Sequence, residues 1–68
     1  MKGTVKLDSL QAQRLAAGHT VTSLAKKATV SDWTIVNVEA GGNVDAVIAQ
    51  RIADALAVSL VTLGKRDL

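Results

Sequence analysis

Between Thr20 and Gly41 the apolar residues recur at helical spacing. Val21, Leu24, Ala25 and Ala28 follow Thr20 in steps of three and four or as neighbours on one face, and Thr20 supplies a hydroxyl suited to capping the first turn. The pattern breaks at Thr29-Val30. It resumes after Ser31, a second capping residue, with Ile35 and Val38 pointing one way and Asp32, Trp33, Val36 and Asn37 pointing other ways. Gly41-Gly42 then stops it, as expected where a chain leaves a helix through positive φ. The spacing therefore predicts two helices of about two turns each around a tight turn.

The flanks read the same way. A first helix runs from Leu7 or Asp8 to Ala17, with Leu7, Leu10 and Leu15 as one apolar stripe, Asp8 favourable at its N-terminal end and Gly18 as its stop. A fourth helix carries Val44, Ile48, Ile52 and Leu56 at i, i+4 steps, with Gln50, Arg51 and Asp54 off that stripe. Either Asn43 or Asp45 caps it. Ser59 caps a last short helix from Leu60 to about Gly64. There is no Pro, linker, repeat or low-complexity stretch. The expected fold is all-α: a compact five-helix domain over residues 7–64, a flexible N-terminal arm over 1–6 and a frayed tail over 65–68.

Two short helices joined by three or four residues form a helix-turn-helix, whose second helix enters the major groove of DNA. Leu24-Ala25, Val30-Ser31, Ile35, Val38-Glu39 and Gly41, in that order and spacing, resemble the lambda-repressor-like (Cro/C1, XRE-type) DNA-binding domain. Ile52 to Leu60 looks like that family's fourth helix and its entry into a fifth, while Leu10, Arg14, Leu15 and Gly18 sit where its first helix has an apolar face, a basic residue and a stop. The resemblance covers roughly residues 7 to 63; no single piece is specific, but the ordered set is. It implies a recognition helix at about 32–40, with Asp32, Trp33, Val36 and Asn37 at the bases. Asn can bond bidentately to adenine, Asp can accept from cytosine N4, and Trp or Val can touch a thymine methyl. Phosphate contacts fall to Thr20, Val21, Thr34 and Asn43, at or beside helix starts whose backbone N–H groups can hold anions. The resemblance also implies a partly buried pair between Arg14 and Glu39 that fixes the angle of the recognition helix. Blander readings stand beside these: Trp33 covers the core, Asp32 serves the helix dipole, and Arg14 and Glu39 are separate solvated charges.

Three departures from the family pattern matter. Val21 stands where a phosphate-gripping Gln is common, and Ala40 to Val47 carries no Lys or Arg. Thr29 occupies a turn position that usually holds Gly, so either the turn is built differently or it stores strain. Positive charge lies instead at Lys2, Lys6, Lys26-Lys27 and Lys65-Arg66, and the formal net charge is only +2. Lys26-Lys27 reads as a solvated face, and the bare rim predicts weak DNA binding per subunit.

Composition narrows the rest. A chain of 68 residues is one domain that buries only ~60% of its unfolded surface. It is 49% hydrophobic but has no Phe or Tyr and one Trp, so Ala, Val, Leu and Ile must fill the core. The absence of Cys excludes disulfides, a thiol nucleophile and Cys-based zinc. No leader-like or membrane-length apolar run occurs, which makes a cytoplasmic protein the default. His19 reads as a polar residue of the loop between the first two helices, with no partnered nucleophile nearby, and Gly41-Gly42 lacks a phosphate-loop frame; no enzyme, cofactor, metal or small-molecule ligand is expected.

The expected partner is double-stranded DNA, bound by a weak homodimer through Val61 and Leu63, with Val58 and Leu60 completing the monomer core. No sensor or dimerisation segment follows the domain, so the expectation is a transcriptional regulator, a repressor head or Cro-like protein of phage or prophage type. The alternative is the same fold used for protein contacts, through an apolar face of Val21, Trp33, Val36, Val44 and Val47.

Overall fold

A computed structural model describes residues 4–64. Its helices are α1 (Leu10–Ala16), α2 (Val21–Ala28), α3 (Asp32–Glu39), α4 (Ala46–Leu56) and α5 (Leu60–Gly64), and two short strands, β1 (Thr4–Lys6) and β2 (Asn43–Asp45), join them. The domain is the small all-α helix-turn-helix architecture, with the strands as a minor addition. Residues 1–3 of the expected arm and the expected tail over 65–68 lie outside the described residues.

The strands change two expectations. β1 pairs antiparallel with β2, with Thr4 opposite Asp45, Val5 opposite Val44 and Lys6 opposite Asn43. Residues 4–6 are thus a strand and not part of a flexible arm, and Val44 belongs to that strand and not to the fourth helix. The cause is a two-residue alternation: Val5 and Val44 both pack against the core while their polar neighbours stay exposed.

α1 starts later than its apolar pattern suggests. Leu7 is buried, but it enters the core from the link after β1, and the helix begins at Leu10. The buried positions of α1 are Leu10 and Arg14, one helical turn apart, which turns Leu15 outward at 60% exposure. Hydrophobicity alone favours Leu15 as a core residue; the geometry assigns that side of the helix to Arg14.

Capping follows the sequence more closely. Thr20 and Ser23 form a reciprocal box at α2, with the Ser23 N–H donating to Thr20 Oγ1 at 3.0 Å and the Thr20 N–H to Ser23 Oγ at 3.1 Å. Ser31 caps α3 by accepting from the Thr34 N–H at 3.2 Å, and Ser59 caps α5 by accepting from the Thr62 N–H at 3.2 Å. Asp45, not Asn43, precedes α4, but its side chain makes no capping hydrogen bond there.

Leu7, Leu10, Leu24, Ile35, Ile52 and Leu63 form the fully buried centre, and Ala25, Ala28, Ala49 and Ala53 let the helices approach closely around it. Leu63 is therefore a core residue, unavailable to a partner subunit. On the single turn of α5 it shares the inner side with half-buried Leu60, one step of three away, while Val61 is 68% exposed. Val58 and Leu60 pack against the core as expected.

Candidate nucleic-acid interface

The site is built by the turn between α2 and α3. Thr29 ends α2 in the left-handed region, at φ 62° and ψ 47°, and the Val30 N–H returns to the Ala25 carbonyl at 2.9 Å. The turn has the geometry that usually takes Gly, held here by a β-branched residue. The chain then reaches Ser31 in extended backbone and turns into α3.

α3 buries Ile35 and Val38 and presents the opposite side. At 100° per residue, Asp32, Val36, Trp33 and Asn37 fall within an arc of about 140°. Trp33 is 67% exposed and Val36 47%, so neither is spent on the core, and the reading of Trp33 as a core cover does not hold. The other two are held in place. Asp32 accepts a hydrogen bond from the Thr22 hydroxyl at Oδ2, 3.0 Å away, which ties the first turn of α3 to the first turn of α2. Half-buried Asn37 lies over Gly42: a Cβ at Gly42 would stand 2.5 Å from Asn37 Nδ2 and 2.9 Å from its carbonyl oxygen. Only glycine fits there, and the Gly42 N–H donates to that carbonyl at 2.9 Å. Nothing in the sequence pattern marks the Thr22–Asp32 bond, and Gly42 reads there only as part of a helix stop.

The residues expected at the phosphates lie on three elements: Thr20 and Val21 at the start of α2, Thr34 on α3 and Asn43 on β2. Thr20 is exposed and its hydroxyl already accepts from Ser23, while Val21 is half-buried and packs against the core. Thr34 is half-buried, with its hydroxyl 2.9 Å from Ser31 Oγ, and Asn43 is exposed on β2 beside Lys6. The N–H groups of Val21 and Thr22 open α2, where a helix directs positive partial charge outward.

The angle of α3 is fixed from behind. Arg14 Nε donates to Glu39 Oε2 at 2.6 Å and Nη2 donates to Oε1 at 3.1 Å, a forked pair between α1 and the last turn of α3. Arg14 Nη1 also donates to the His19 carbonyl at 2.9 Å. The hydrogen bonds to Glu39 hold the Arg14 guanidinium above its ordinary pKa, against the opposing effect of burial, and the charge of Glu39 adds to the rise. Among the described residues no buried side-chain nitrogen or oxygen lacks a partner.

α3 itself carries no Lys or Arg. Lys26 and Lys27 close α2, where they favour its dipole, and Lys27 and Arg51 with Asp54 border a shallow depression between the end of α2 and α4. His19 is a polar residue of the loop before α2, and its Nδ1 lies 2.7 Å from Ser23 Oγ. That hydroxyl belongs to the α2 cap, so the contact extends a capping network. Among the described residues no cluster of His, Asp and Glu is arranged to hold a metal, and no helix is long and apolar enough to cross a membrane.

A family model described as helix-turn-helix matches residues 10–63. No curated protein and no solved structure matches the chain. The matched span runs from the first residue of α1 into α5 and holds the turn, both of its helices and the Arg14–Glu39 pair. The family is one of DNA-binding regulators and not an enzyme class. With most of its length matched, the chain belongs to the Cro/C1-type (XRE) helix-turn-helix family.

Proposed function

We propose that the protein is a sequence-specific transcriptional regulator, a repressor or Cro-like protein, that lays α3 in the major groove and binds as a weak homodimer. The observation that carries this reading is the outward side of α3. Trp33 and Val36 are exposed with no intramolecular use, on a helix clamped by Thr22–Asp32 and Arg14–Glu39. Asp32, Trp33, Val36 and Asn37 are the base readers in this proposal. Thr20, Val21, Thr34 and Asn43 face the phosphates, partly through the free N–H groups that open α2.

Selection of bound fragments from genomic DNA tests it directly. Enriched fragments should share one site, and Asn37→Ala should weaken binding there by about 1–3 kcal/mol while leaving random duplexes almost unaffected. Equal loss on both would reject base reading by Asn37. Trp33 is the single tryptophan, so its fluorescence should shift when the selected duplex is added.

The exposure of Trp33, Val36 and Val47 also favours a second reading, a protein-binding module. Salt separates the two, because binding to DNA weakens steeply as salt rises and apolar association does not.

A further inference from the structure

The side chains on α3 carry information about which bases they can read. Guanine offers two acceptors in the major groove, N7 and O6, and is read by the charged donors of Arg or Lys. From Asp32 through Gln50 the chain has neither residue. Asp32 makes guanine worse, because a carboxylate set against two acceptors repels them. Its Oδ2 already accepts from Thr22, which leaves Oδ1 for a donor such as the exocyclic amine of cytosine or adenine. Asn37 matches the donor–acceptor pair of adenine.

Trp33 and Val36 settle the balance. They are the exposed apolar groups on this side of α3, and the only apolar feature of a base pair in the major groove is the C5 methyl of thymine. Against G·C pairs their surface would face polar edges and gain nothing. With no Lys or Arg from Asp32 through Gln50, this stretch adds no cation to the attraction for phosphates.

We infer that the half-site read by α3 is built of A·T pairs whose thymine methyls contact Trp33 and Val36, with at most one C·G pair, opposite Asp32. This rests on the DNA-reading role proposed above and adds the class of sequence to it.

The test uses the full chain and a library of random duplexes. The selected half-site should be dominated by A·T pairs. Replacing its thymines with deoxyuridine removes only the methyl groups, and each contacted methyl should then cost roughly fourfold in affinity. Trp33→Ala and, separately, Val36→Ala should each bind thymine and uracil duplexes equally at the position that side chain contacts. Both side chains are exposed, and circular dichroism verifies that the variants remain folded. A half-site led by guanines, or uracil duplexes bound as tightly as thymine duplexes, overturns the inference while leaving DNA reading intact. No enrichment over random sequence overturns both.

Discussion

Arg14 takes a place on α1 that an aliphatic side chain would fill in a simpler helix, one turn beyond buried Leu10. A guanidinium there is tolerable because its donors are matched by both Glu39 oxygens and the His19 carbonyl. Removing one partner strands the other, so Glu39→Ala should destabilise the domain by about 3 kcal/mol in urea unfolding. The double change Arg14→Met with Glu39→Leu should recover most of that loss, since an apolar pair of similar volume needs no charge compensation. A neutral Glu39→Ala would mean that the pair is solvated in practice. Because the folded pKa of Arg14 is raised, the stability that its charge contributes is fully present below the unfolded pKa and is lost only as pH climbs through the higher folded one. The difference between wild type and the double variant should therefore hold steady well into the alkaline range. This pair was legible through the family resemblance alone. Reading hydrophobicity residue by residue selects Leu15, because nothing local shows that a cation will be neutralised from 25 positions away.

Two helices end on residues that resist the conformation they adopt. Thr29 after α2 and Ala57 after α4 both sit in the left-handed region, at φ 62° and 59°. A side chain costs about 1–2 kcal/mol there, and more freedom in the unfolded state offsets part of the gain from glycine. Thr29→Gly should thus raise stability by about 0.5–1 kcal/mol, and each kcal/mol corresponds to about 4–8 °C in Tm for a domain of this size. A fall in Tm would show that the threonine side chain stabilises the turn by more than its strain. At this scale the helix-turn-helix was the most legible part of the chain, because Thr20 and Ser31 signal their own helix starts. The strands were the least legible. Three residues give barely one period of alternation, and Val44 also lies four residues before Ile48, so it fits a helical stripe as well as a strand.

A single recognition helix covers only a few base pairs, too few to define a site in a genome, and two-fold pairs with half-sites ~34 Å apart resolve this. With Leu63 inside the core, Val61 remains as the proposed contact, beside an apolar groove lined by Val5, Leu7 and Leu60. Val61→Glu should leave the monomer folded, because the side chain is mostly in solvent. It should also abolish cooperative binding to a palindromic site, read as a Hill coefficient falling to one. One-to-one binding to an asymmetric site, unchanged by the substitution, would reject the dimer. The overall fold followed from periodicity. Which face of the last turn points outward did not, because Val58, Leu60, Val61 and Leu63 are all apolar and only packing distinguishes them.

Gly64 packs so closely on the Lys6 carbonyl that a Cβ would come within 3.0 Å of it, and the Ser9 N–H donates to the Leu63 carbonyl at 2.8 Å. The beginning and the end of the fold are thus neighbours, and the order in which the polymer is synthesised is not what holds them together. A circular permutant should exploit this, with Leu68 joined to Met1 and new termini opened at exposed Ala17-Gly18. The seven flanking residues, 1–3 and 65–68, supply ample reach for the join at about 3.3 Å each. The permutant should melt cooperatively within a few degrees of the parent. That would also allow two domains to be strung in tandem from either end.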